Sequence, residues 1–261
     1  MRMELMKRPA LVFSLLLLSC HAAIAQLGPA GPTLRELKIP EALPVCLDVD
    51  YDFSKNSAAV IENCTEILQN PALSRDDRYL ALVRRSAARY SQRAFEASIV
   101  DLTAAIRVKP EQVQAWEYRS DVYTSIGKFA LARKDIDAAL RLKPNDPDLL
   151  NASCWNYGAQ AQIEPALRDC KKSLAIRPGD IETLDSHAFV NYRAGKYAQA
   201  LKEYNTILAR TPRYPESLYV RGIIKRKMGD LVGGNKDMHA ASAINPDIVE
   251  YFANFGLTRG N

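Results

Sequence analysis

Side chains able to do covalent or metal chemistry are sparse in this chain of 261 residues, which holds five cysteines and three histidines. No His–Cys–carboxylate set recurs at metal-ligand spacing. The run Gly229-Asp230-Leu231-Val232-Gly233-Gly234 lacks the GK[ST] ending of a phosphate-cradling loop, and no serine stands in a nucleophile-elbow context. Asn63-Cys64-Thr65 and Asn151-Ala152-Ser153 fit the glycosylation triplet, but both fall in segments with helical spacing. The expectation is a non-catalytic chain with no cofactor and no metal.

The first cysteine belongs to the leader. Arg2, Lys7 and Arg8 precede the apolar run Ala10–Leu18, and Ala23-Ile24-Ala25 follows. A basic head, a short apolar stretch and an A-x-A exit describe a secretory signal over 1–25, with Gln26 as the mature start. The rival is Leu17-Leu18-Ser19-Cys20, which resembles a lipoprotein box and would make Cys20 a lipidated residue and the membrane an anchor. Removing Arg2, Lys7, Arg8 and Glu4 lowers the formal net charge from +5 to +3, near balance and no argument for nucleic acid. The expected location is exported, periplasmic or secreted. Residues 26–44, with Pro29, Pro32, Pro40 and Pro44, read as an extended lead segment.

The elements that must position the remaining side chains announce themselves through proline. Pro110, Pro144, Pro178, Pro212 and Pro246 stand 34 residues apart, a spacing that chance would produce with odds of about one in 10⁵. A period of 34 is one helix–turn–helix unit, here called helix A and helix B. With each proline at position 32, position 8 is Ser86, Ser120, Cys154, Ala188 and Gly222, and position 20 is Ser98, Ala132, Ala166, Ala200 and Gly234. Two columns of small residues mark where paired helices cross closely. Gly127, Gly195 and Gly229 fall at position 15, where helix A must end. Arg85, Arg119 and Arg221 stand sixteen residues before Asp101, Asp135 and Asp237, a spacing that predicts ion pairs tying helix A to helix B. His187 takes the same slot as those arginines.

Cys154 and Cys170 occupy positions 8 and 24 of one hairpin, on facing sides, and are the expected disulfide. Cys46–Cys64 would then pin the lead segment to the first helix, and buried free thiols are the alternative.

The pattern resembles the tetratricopeptide repeat, matched best by Trp116, Ser120, Tyr123, Ala132, Ile136 and Pro144. Arg119 stands where that signature has leucine, and the third unit has Ala161 for the turn glycine and carries Pro165. The resemblance implies an all-α fold, a right-handed α-solenoid of stacked antiparallel helix hairpins, over units 79–112, 113–146, 147–180, 181–214 and 215–246. A degenerate helical unit over 45–78 would precede them, with a helix at Ser57–Asn70, and Asp247–Gly256 would cap the last hairpin within a tail of 247–261.

In that family the inner, concave face is built from helix A. Carried over position by position, the candidate binding residues are Glu117, Asp121, Asp148, Asn151, Glu182 and Asp185, with aromatics Trp155, Phe189, Tyr192 and Tyr219. The lysine/asparagine clamp some members use for a carboxylate is replaced here by acidic side chains. The resemblance therefore implies a scaffold that binds a protein or peptide, with a basic segment as the complementary partner. A lipid-anchored envelope assembly factor and a regulatory or docking subunit of an enzyme complex are the alternatives.

Overall fold

The computed structural model describes residues 46–47 and 56–257. The expected signal over 1–25, Cys20 and the lead segment lie outside the described residues. Within them the structure is helical, with twelve helices and no strand. They are α1 (Ser57–Leu68), α2 (Arg75–Ser91), α3 (Phe95–Val108), α4 (Val113–Ser125), α5 (Phe129–Leu142) and α6 (Pro147–Ala159), followed by α7 (Ile163–Ile176), α8 (Ile181–Arg193), α9 (Tyr197–Arg210), α10 (Pro215–Lys227), α11 (Leu231–Ile244) and α12 (Ile248–Ala253). The described residues divide into two compact units, up to Arg119 and from Ser120, with the boundary inside α4.

Proline sets the length of every helix B. The residue before a proline is pushed out of the helical region by the ring. Lys109, Lys143, Arg177, Thr211 and Asn245 accordingly end α3, α5, α7, α9 and α11 with φ between −128° and −139°. Helix A ends at position 15 instead. Gly127, Gly195 and Gly229 take φ of 72°, 74° and 92° there, and Arg93 and Ala161 hold the same left-handed turn at 59° and 57° without glycine's freedom. The following amide then closes a bond back to the helix, as from Lys128 N to Tyr123 O at 2.8 Å and from Gln162 N to Tyr157 O at 2.9 Å.

In the first unit α1 packs on α2 and α2 on α3. In the second, α5 to α11 each pack on the next helix, and α6 on α8 and α8 on α10 form a row of A helices. The small columns are where the hairpins close: Ser86, Ser98, Ala132, Cys154, Ala166, Ala188 and Ala200 are all fully buried. The last hairpin is the tightest. A methyl at Gly222 would stand 2.7 Å from the carbonyl oxygen of Gly234, so glycine is required by the approach of the two backbones.

The spacing of sixteen residues becomes a strut between helix A and helix B. Arg85 donates to Asp101 at 2.7 Å in the first repeat and Arg221 to Asp237 at 2.7 Å in the fifth. Ser153 donates to Asp169 at 2.6 Å in the third, and His187 meets Glu203 at 3.2 Å in the fourth, so the slot keeps its polar role while its chemistry changes. Arg119 and Asp135 fall one in each unit. Cys154 and Cys170 are at disulfide distance, with Cα atoms 5.2 Å apart, and Cys46 and Cys64 likewise at 5.0 Å.

Candidate functional site

Successive A helices of the second unit repeat their side chains at the same height. Position 5 supplies Asn151 from α6, Asp185 from α8 and Tyr219 from α10, and position 9 supplies Trp155, Phe189 and Ile223. The stacked rings of Trp155 and Phe189 have centroids 4.5 Å apart, and Tyr192 lies 6.2 Å from Phe189. Trp155, Phe189 and Tyr192 are thus neighbouring rings on α6 and α8.

This face is not open. The segment after α11 does more than cap the last hairpin. The α12 helix lays Phe252 on Tyr219, stacked at 5.1 Å, and within 6.4 Å of both Trp155 and Phe189. One turn later Phe255 stands edge-on to Trp155 at 5.4 Å and meets Phe129 at 5.2 Å. Gly256, at φ 72°, reverses the chain, and Leu257 is buried behind it. Trp155, Phe189 and Tyr219 are thus 6%, 0% and 0% exposed, which corrects their reading as open anchors: the chain's own tail lies on them.

Two polar ties hold the tail. The Arg193 guanidinium, at the end of α8, donates to the carbonyl of Phe255 at 3.0 Å and to that of Ala159 at 3.3 Å. Asn254 Nδ2 donates to the carbonyl of Ser125 at 2.9 Å, which brings the tail to the turn after α4. Phe129, Arg193, Phe252, Asn254 and Phe255 were not among the candidates drawn from the sequence. The spacing of Phe252 and Phe255 was visible there, but nothing periodic says which surface that pair would meet.

The acidic candidates separate by burial. Glu117, in the first unit, and Asp121 and Glu182, in the second, are half-buried on their helices. Asp148 accepts from Arg177 at 2.5 Å, so its charge is balanced at the end of the same repeat. Asp185 is different: it is 5% exposed and accepts from the Ser217 hydroxyl. Burial pushes its carboxyl up to about 8, the charges of Glu216 and Glu182 add to the rise, and the Ser217 bond offsets only part of it. Asp185, buried and with its carboxyl raised, is therefore not placed to steer a charged partner, which corrects its reading as a candidate binding residue. Asn151 is buried as well, and its Oδ1 makes no hydrogen bond among the described residues, nor does the indole Nε1 of Trp155. Buried polar atoms left unpaired cost about 1–3 kcal/mol each. The covered face is filled, but its polar capacity is not used up.

Among the described residues no three His, Cys, Asp or Glu side chains converge to hold a metal ion, and no helix is long and apolar enough to cross a membrane. The arrangement offers shape, aromatic contact and hydrogen bonding.

Comparison with known proteins agrees in kind. Residues 79–147 match the family model described as tetratricopeptide repeat. A search of the curated proteins finds no significant match. Among solved structures, a tetratricopeptide repeat protein from Parabacteroides merdae is similar at 16% identity and a TM-score of 0.60, covering 84% of this chain and 100% of that one. The thermophilic TPR protein TTC0263 of Thermus thermophilus is similar at 15% identity and 0.59, over 68% of this chain and 97% of its own. PilW, described as a widely conserved type IV pilus biogenesis factor, reaches 15% and 0.55, over 68% and 86%.

Proposed function

We propose that this chain, which matches the tetratricopeptide repeat model over residues 79–147 and shares the fold of tetratricopeptide repeat proteins, is an exported, non-catalytic scaffold whose helix A face binds a peptide segment of a partner protein. One observation carries the reading. A short helical segment with two phenylalanines already sits on that face, its rings on Trp155, Phe189 and Tyr219 and one of its carbonyls held by Arg193. A surface that takes one such segment in cis has the shape and the donors to take another in trans. Tetratricopeptide-repeat proteins in general bind proteins or peptides, so the face agrees with the fold.

Export rests on the leader reading of 1–25 together with two cysteine pairs at disulfide distance, which suit an oxidising compartment. The half-buried Asp121 and Glu182 favour a partner segment with Lys or Arg beside its apolar anchors.

The test is capture of partners by the mature chain from envelope extract, followed by titration of the captured protein against Asp121→Lys, Glu182→Lys and Tyr192→Ala variants. Trp155 and Asp185 are unsuitable as probes, because changing a buried residue would report on folding. The charge reversals are expected to slow association and weaken binding at least threefold at low salt, less at high salt. Unchanged affinity in all three would place the interface off this face.

A further inference from the structure

We propose that residues 247–257 act as a built-in competitor for the helix A face, and that the partner displacing them is a segment with the same aromatic-x-x-aromatic turn and flanking Lys or Arg. The inference rests on the reading of that face as a peptide site and assigns the class of its ligand and its regulation. The tail presents itself as a ligand would. Its six-residue helix has no side-chain N-cap bond, three residues separate it from α11, and it meets the face through the rings of Phe252 and Phe255 together with the Arg193 and Asn254 bonds. The tail residues buried in this contact are Ile248, Phe252, Phe255 and Leu257.

The tail is also an incomplete ligand. Between 247 and 257 its charged side chains are Asp247 and Glu250, with no Lys or Arg, and the half-buried Asp121 and Glu182 stand on A helices of the same unit. Among the described residues, Nε1 of Trp155, the ring that Phe252 and Phe255 meet, and Oδ1 of the buried Asn151 are without a hydrogen bond. A partner that keeps the two rings and carries ammonium or guanidinium groups beside them gains attraction that residues 247–257 lack. Tethering gives the tail an effective concentration on the order of millimolar, so a partner must exceed that advantage to open the face.

The geometry offers a lock. A β-carbon at Gly127 would stand 3.7 Å from Cβ of Asn254, close to the ~3.8 Å mean across a disulfide. Arg93 and Ala161 show that the equivalent left-handed turn accepts a side chain. The probe is a fluorescent synthetic copy of residues 247–257 with Asp247 and Glu250 each replaced by Lys, titrated by anisotropy. It is titrated against the full chain, the oxidised Gly127→Cys/Asn254→Cys variant and the Phe252→Ala/Phe255→Ala variant. Expected is measurable binding to the full chain, at least tenfold weaker binding to the locked variant, at least tenfold tighter binding to the opened one, and none by a peptide lacking both phenylalanines. If the opened variant is misfolded by circular dichroism, the locked one decides. Equal affinity for locked and unlocked chains would overturn the competition while leaving the face a peptide site elsewhere along its length. No binding to any of the three would overturn the reading of the face itself. Failure of the two cysteines to join, or their joining between two chains, would overturn the placement of the tail in cis.

Discussion

Asp185 shows how far a single residue can depart from what its column suggests. In register it is a groove residue; in the fold it is a buried carboxyl under Ser217 that keeps its proton up to about pH 8. The unfolded residue ionises near pH 4, so between about 4 and 8 the folded chain holds a proton the unfolded chain has lost. This group's contribution to stability is therefore complete below about pH 4 and is lost as pH rises through 8. Asp185→Asn should remove that slope, so the melting temperature of the variant should fall less than that of the parent between pH 5 and 8.5. Parallel curves from thermal melts across that range would show that Asp185 ionises as an ordinary surface acid. Position 5 alone carries no sign of this, because burial here is imposed by α10 and by Ser217, which belong to the next repeat.

At the scale of the element, the hairpin is the most legible part of the chain. Small residues, a turn at position 15 and a proline at position 32 each have a local cause, and all five units obey them. The same local causes give direct tests. Gly222→Ala puts a methyl 2.6 Å from Cγ of Met238 and 2.7 Å from a backbone oxygen, and only the first can move aside. It should cost about 1–3 kcal/mol by overpacking. Urea denaturation showing no loss would mean the α10–α11 crossing is looser than its two glycines imply. In the third hairpin Cys154 at position 8 meets Cys170 at position 24, sixteen residues later in sequence. Changing both to Ser should lower stability by about 3 kcal/mol, since the closed loop restricts the unfolded chain. Thiol titration of the unfolded, unreduced parent should then find neither cysteine reactive.

At the scale of the whole molecule, the repeat told which faces exist but not which are covered. Nearest-neighbour packing is written in the period of 34, whereas the tie from Asn254 to Ser125 spans 129 residues and no period relates its two ends. Aromatic content near the C-terminus was visible, yet a cap on the last hairpin and a strap along the row of A helices need the same apolar residues. What separates them is the length from α11 to Phe255 and the turn at Gly256, both properties of the folded chain. The central claim is that the A row of the second unit is a peptide site held shut by residues 247–257. Hydrogen exchange of the full chain, with and without saturating Lys-substituted tail peptide, tests it most directly. Amides of residues 248–257 should exchange faster when the peptide is bound, while those of α6, α8 and the Ser125–Phe129 turn stay as protected or become more so. Protection appearing instead on α7, α9 or α11, with α12 unchanged, would contradict the account.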